Sequence, residues 1–215
     1  MELVRYRKEN RTTKTSFHAG LVPGVPRGFS LMELLVVISI FSVISLMILA
    51  NHSRFNSSVL LGSLAYNIAL SIREAQVYGL SVQGQLSGGI PNFQVGYGVH
   101  FQGGTTYVLF ADKNGNKKYD TPPTDTIIKT YTVRQGHIIS DFCGITSVGV
   151  RECALGGAIT LLDIVFLRPD PDASMKSSSP TLYSSAEITV SSPQGSTRKV
   201  TVVSTGQISV AVSAP

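Results

Sequence analysis

Residues 28–50 read GFSLMELLVVISIFSVISLMILA, and the rest of the 215-residue chain is interpreted outward from them. Residues 34–50 run 17 positions without a charge, and from Phe29 the apolar stretch reaches 22 residues, interrupted once, by Glu33. At about 1.5 Å of rise per residue, such a stretch matches the ~30 Å of bilayer hydrocarbon as one helix. Residues 1–28 hold Arg5, Arg7, Lys8, Arg11, Lys14 and Arg27 against Glu2 and Glu9, a net +4 of the chain's +5. The positive-inside bias then keeps residues 1–28 in the cytoplasm and sends residues 51–215 across the membrane. An ordinary anchor and a cleaved secretory signal are the two plain readings. A secretory signal has an apolar run of about 7–15 residues ending at a small-residue site. Here the run is longer, and Ile48 stands two residues before Ala50. Neither reading explains Glu33: a charge just inside an apolar run costs on the order of 2–3 kcal/mol, so it needs a partner or a purpose.

Hydrophobic residues make up 43% of the chain and charged residues 14%, a balance that excludes disorder for most of it. The length suits one domain with an appendage. Beyond residue 28 there are 12 basic and 11 acidic side chains, so the body is nearly neutral and no DNA-binding face is predicted. Cys143 and Cys153 both fall on the exported side. An even pair in an oxidising compartment points to a disulfide, and two thiols are too few for structural zinc.

The segment Arg27-Gly28-Phe29-Ser30-Leu31-Met32-Glu33-Leu34-Leu35-Val36-Val37-Ile38 resembles the type IV prepilin signal. The resemblance implies a membrane-embedded prepilin peptidase that cuts after Gly28 and methylates the new N-terminal Phe29. It implies that Glu33 is the buried acid used in filament assembly. Its partners would be other pilins or pseudopilins in a helical filament, the peptidase, and a membrane assembly platform. Cleavage would remove the +4 leader and create an α-ammonium four residues before Glu33. In a packed filament that carboxylate can meet the ammonium of a neighbouring Phe29. A desolvated pair of this kind is costly to break singly, about 3–5 kcal/mol, and so serves as a register pin.

Beyond the apolar run, Leu61, Leu64, Ala65, Ile68, Ile72, Ala75 and Gln76 recur at steps of three and four. Ser63, Asn67, Ser71 and Glu74 lie between them, which predicts an amphipathic continuation of the helix over 51–80. Gly62 and the polar stretch 51–58, with His52 and Arg54, are places for it to bend, and two helices with a linker remain the alternative. Gly79 or the 84–89 region ends it. From residue 90 the period becomes two, with strands predicted at 94–101, 106–111, 126–133, 137–140, 158–167, 186–191, 198–204 and 207–212. Turn chemistry separates them at Asn114-Gly115, Pro193-Gln194-Gly195 and Thr205-Gly206. The predicted fold class is α+β: a long N-terminal helix, transmembrane and then amphipathic, packed on an antiparallel sheet in residues 81–215.

The exported part resembles the GspH/FimT family of minor pseudopilins. The resemblance rests on Ser71-Ile72-Arg73-Glu74-Ala75-Gln76, Leu109-Phe110-Ala111-Asp112-Lys113-Asn114-Gly115-Asn116, Phe166-Leu167-Arg168-Pro169-Asp170-Pro171 and Val203-Ser204-Thr205-Gly206-Gln207-Ile208-Ser209-Val210. It implies a minor pilin or pseudopilin of the cytoplasmic membrane, a type IV pilus or a type II secretion pseudopilus. Some members bind DNA through arginines near the C-terminus. Here Gln207 and Ser209 fill that stretch and the nearest basic pair is Arg198 and Lys199, so nucleic acid is not an expected partner. A pilus-borne DNA- or surface-binding module is the alternative function.

Asp112, Asn114, Asn116 and Asp120 alternate oxygen donors in the manner of a calcium loop. The glycine falls too early, no glutamate closes the loop, and Lys113, Lys117 and Lys118 repel a cation. A hairpin turn is the preferred reading, and no metal or cofactor is expected. Residues 173–185, rich in serine and flanked by Pro169, Pro171 and Pro180, read as a surface loop. No HExxH, GxSxG, GxxxxGK or GxGxxG is present, and His18, His52, His100 and His137 stand far apart. The sequence points to a structural subunit rather than an enzyme.

Overall fold

A computed structural model describes residues 28–81, 84–87 and 90–212. The basic residues of the leader, Arg5 to Arg27, lie outside the described residues. Two compact units divide between Leu46 and Met47.

Helix α1 (Leu31–Leu80) runs through both units. In the first, the apolar side chains from Leu31 onward are exposed, and Leu31–Leu49 is long and apolar enough to cross a membrane while none of it is buried within the chain. Two serines in this stretch bond back to the helix. Ser39 Oγ donates to the Val36 carbonyl at 2.8 Å and Ser42 Oγ to that of Ile38 at 2.7 Å, which removes free hydroxyls from the apolar surface.

In the second unit α1 continues unbroken through residues 51–58 and Gly62, where a bend or a linker was one expectation. A helical glycine costs about 1 kcal/mol against alanine. Burial of Leu61, Ala65, Ile68, Ile72 and Ala75 on one face outweighs it. Ser71, predicted among the polar spacers, is buried, with Oγ donating to the Ile68 carbonyl at 2.8 Å. Nor is the outer face simply polar: Val59, Tyr66, Leu70 and Val77 stand exposed at spacings of seven, four and seven. The helix ends where Gly79 meets the backbone of Phe166. A Cβ there would lie 2.4 Å from the Phe166 carbonyl oxygen, and the Gly79 carbonyl accepts the Arg168 N–H at 3.1 Å.

Among the described residues twelve strands follow: β1 (Gln85–Ser87), β2 (Ile90–Asn92), β3 (Gly96–Phe101), β4 (Thr106–Asp112), β5 (Thr126–Thr132), β6 (Ile138–Ile145), β7 (Arg151–Cys153), β8 (Leu162–Leu167), β9 (Asp170–Ser177), β10 (Ser185–Ser191), β11 (Thr197–Val203) and β12 (Ile208–Val212). They form a small β1–β2 hairpin and two five-stranded antiparallel sheets, ordered β5-β4-β3-β8-β9 and β12-β11-β10-β6-β7. The fold class is the predicted α+β, but the single sheet is two, because a period of two specifies strands and not their partners. One apolar cluster joins Ile68 and Ile72 of α1 to Phe101, Leu109, Ile164 and Phe166 of the first sheet and to Phe142, Ile188 and Val200 of the second.

Three other departures have local causes. Residues 173–177 of the predicted 173–185 loop belong to strand β9, whose Ala173, Met175 and Ser177 point inward at a period of two that the serine content conceals. Strand β6 runs past residue 140 to Ile145, carrying Cys143 into the sheet. Strand β7 exists because Cys153 pairs directly across from Cys143.

Candidate functional site

The N-terminal segment is built around a helix start. Residues 28–30 are non-helical, and Ser30 caps α1: its Oγ accepts the Glu33 N–H at 3.1 Å and its carbonyl accepts the Leu34 N–H at 3.1 Å. Serine with glutamate three residues on is the spacing of a capping box, so the Ser30 cap is legible in the sequence though missing from the predicted set. Glu33 therefore sits in the first helical turn, where a carboxylate complements the positive end of the helix dipole. Phe29 precedes the cap at 81% exposure, too open to be held by packing within the chain. A Cβ on Gly28 would meet no atom within 4 Å, so the chain's own packing makes no demand for glycine at that position. The peptide bond between Gly28 and Phe29 lies in exposed, non-helical backbone, the form in which a peptidase can engage it.

The other predicted positions lie elsewhere in the second unit. Cys143 and Cys153 form a disulfide, Sγ–Sγ 2.04 Å. With Asp141 they also make a compact set of donor atoms. Both sulfurs are spent on each other, and Asp141 Oδ1 accepts the Phe142 and Leu155 N–H groups at 2.9 Å each, so this set fixes a loop.

Asp112, Asn114, Asn116 and Asp120 come together in the β4–β5 connection, tied to its own amides. Asp112 accepts the Gly115 and Lys117 N–H groups at 2.8 Å, and Asp120 Oδ2 accepts the Asn114 and Asn116 side-chain amides at 2.7 Å. The asparagine oxygens receive Asn116 N–H at 3.1 Å and Lys118 N–H at 2.8 Å. Asp125 completes the turn by accepting the Lys113 N–H at 3.0 Å and the Asp120 N–H at 2.7 Å. Burial holds the carboxyls of Asp112 and Asp125 above the ordinary carboxylate range, against the pull of these donors.

Two further polar groups have partners that lie far apart in the sequence. His100 and Asp163 face each other across β3 and β8, both buried, with Nδ1 and Oδ1 2.7 Å apart. Asp163 Oδ2 accepts the Tyr119 N–H at 3.2 Å, pinning the β4–β5 connection to the sheet. On the helix, Glu74 accepts the hydroxyls of Tyr131 at 2.5 Å and Tyr78 at 3.2 Å. Burial, followed by Glu74, drives the Tyr131 hydroxyl far above its usual range.

Among known families, a model described as the prokaryotic N-terminal methylation motif matches residues 26–49. The motif is a type IV pilin-like prepilin signal. No curated protein and no solved structure matches the chain. The matched stretch takes in Gly28, Phe29, the Ser30 cap, Glu33 and the apolar helix, and supports reading the chain as a prepilin-like, membrane-anchored structural subunit.

Proposed function

We propose that this chain is the precursor of a minor pilin or pseudopilin. It is cut after Gly28, N-methylated at Phe29 by a prepilin peptidase, and drawn through residues 29–50 into a type IV pilus or type II secretion pseudopilus. The observation that carries this reading is the methylation motif over residues 26–49, laid on a helix whose apolar side chains stand exposed among the described residues. An isolated surface of that kind is stable in lipid or against other helices, and in water it is not. The GspH/FimT resemblance of residues 71–76, 109–116, 166–171 and 203–210 supports a minor subunit.

The chemistry follows from the helix start. Before the cut, residue 29 is an internal amide and Glu33 has no opposite charge in the first turn of α1. Hydrolysis of the Gly28–Phe29 bond leaves an ammonium on Phe29 and removes the basic leader. Methylation keeps that positive charge. In a helix-packed filament the Glu33 carboxylate of one subunit meets the ammonium of the next, and a subunit out of register strands one charge in a dry core. The leader stays on the cytoplasmic side, residues 51–215 lie outside, and the disulfide suits that compartment.

Glu33→Leu and Glu33→Gln test the assembly step. Both variants are expected to be cleaved normally, giving the shortened chain in membrane extracts, yet to be absent from sheared filaments. Variants that enter filaments as well as the unaltered chain would refute the charge-pairing account.

A further inference from the structure

The two five-stranded sheets have four edges: β5 and β9 in one, β7 and β12 in the other. Free edges invite pairing with another chain, and proteins defend them with charge, proline, bulges or brevity. Three of these are defended. Strand β5 carries Lys129 and a register shift opposite Leu109/Phe110. Strand β9 carries Asp170, Pro171, Asp172 and Lys176 and a register shift. Strand β7 is three residues long with Arg151 and Glu152. Strand β12 has none of these devices: Ile208-Ser209-Val210-Ala211-Val212 is uncharged, free of proline and in unbroken register with β11.

The open side of β12 is also shaped. The Val203 N–H donates to the Gln207 carbonyl at 2.9 Å, so antiparallel alternation turns the main-chain N–H and C=O of Ile208, Val210 and Val212 outward. Beside them lies a groove of about 440 Å³ lined by Tyr66, Ala69, Leu70 and Arg73 of α1 with Ile208 and Val210. A second groove of about 260 Å³ lies at the far end, by Val212, and contains Arg198. Among the described residues, no carboxylate lines either groove.

We infer that β12 is a strand-addition site for an extended segment of a different protein chain, with aliphatic or β-branched side chains at alternate positions and carboxylates toward its two ends. The outward main-chain groups supply the pairing, the groove against Tyr66 and Leu70 takes alternate side chains, and Arg73 and Arg198 select for acid. The same charges disfavour a second copy, because β12-to-β12 pairing would bring arginines together without a counter-charge. This surface lies wholly within the second unit, so it does not depend on how the N-terminus is processed.

The test uses the full chain in detergent micelles and a fluorescent seven-residue peptide of alternating valine and threonine with glutamate at each end. Saturable binding by anisotropy is expected, at least tenfold weaker for a lysine-ended peptide and for the Arg73→Glu/Arg198→Glu double variant. A peptide N-methylated on alternate amides should not bind, and this comparison leaves the protein untouched. Val210→Pro, which removes one outward N–H without touching the β11 pairing, should bind at least tenfold more weakly while the chain still unfolds in one cooperative transition. Absence of binding at low salt, equal binding of the N-methylated peptide, or self-association of the chain through β12 would each overturn the inference.

Discussion

The side-chain amide of Gln76, on the buried face of α1, donates to the main-chain carbonyl of Gly206 at 3.3 Å. The same Nε2 donates to the Pro171 carbonyl at 3.2 Å, so one buried side chain ties the helix to the turn before β12 and to the start of β9. Gly206 has φ +80°, and a Cβ there would lie 2.4 Å from the Pro171 oxygen and 2.6 Å from Gln76 Nε2. Gln76→Leu leaves the buried Gly206 carbonyl without its side-chain donor and should cost about 1–3 kcal/mol. Gly206→Ala adds backbone strain to a steric clash and should cost more than Gln76→Leu. Thermal unfolding of the full chain in micelles checks both. A loss below about 0.5 kcal/mol, the usual size for a neutral surface site, would contradict the assignment.

Loss of the Asp163 carboxylate is expected to be felt at a distance. Asp163→Ala removes the acceptor of both His100 Nδ1 and the Tyr119 N–H. The buried imidazole left without its acceptor should destabilise the fold by about 1–3 kcal/mol. Hydrogen exchange at the Tyr119 amide should accelerate more than exchange in β10 or β11. Uniform acceleration would show that the contact does not act locally.

Stability should respond to pH with opposite signs at two places. Burial raises the Asp112 and Asp125 carboxyls, so the folded state binds their protons more tightly than the unfolded chain does. Their contribution is fully present below the unfolded value and is lost as pH rises through the raised folded values. Glu187 behaves in reverse. Its burial would raise it, but hydrogen bonds from Lys199 and Arg151 hold it below its ordinary range. Its contribution is present above the unfolded value and is lost as pH falls through the folded one. Melting curves from about pH 3 to 7 should show the rising-pH decline flattened in Asp125→Asn and the acid-side loss flattened in Glu187→Gln.

Ser30→Ala separates helix capping from processing. Loss of the Ser30 Oγ acceptor should cost about 0.5–2 kcal/mol of local helix stability and speed exchange of the Glu33 amide. Cleavage after Gly28 should persist in this variant and be abolished by a bulky residue at position 28, as read by the size of the chain on a denaturing gel.

Much of this architecture is legible in the residues. A charge-free run interrupted only by Glu33 marks the first helical stretch, and the recurrence of Leu61, Ala65, Ile68, Ile72 and Ala75 marks the second. Strands β3, β4, β10, β11 and β12 follow from alternation bounded by turn residues. Strand β9 is obscured because Asp170-Pro171-Asp172 and the serines around Met175 carry loop composition over a buried period of two. The division into two sheets and the His100–Asp163 pair depend on long-range register, which local pattern does not encode. The outward stripe of Val59, Tyr66, Leu70 and Val77 is present in the sequence, but core and surface apolar positions look alike until the sheets choose a face of the helix.

Intact-mass and fragment spectrometry of the membrane-extracted protein tests the central claim most directly. The account predicts a chain that begins at Phe29 and carries one methyl group on its α-nitrogen. A chain that begins at Met1 or at Asn51 would contradict it.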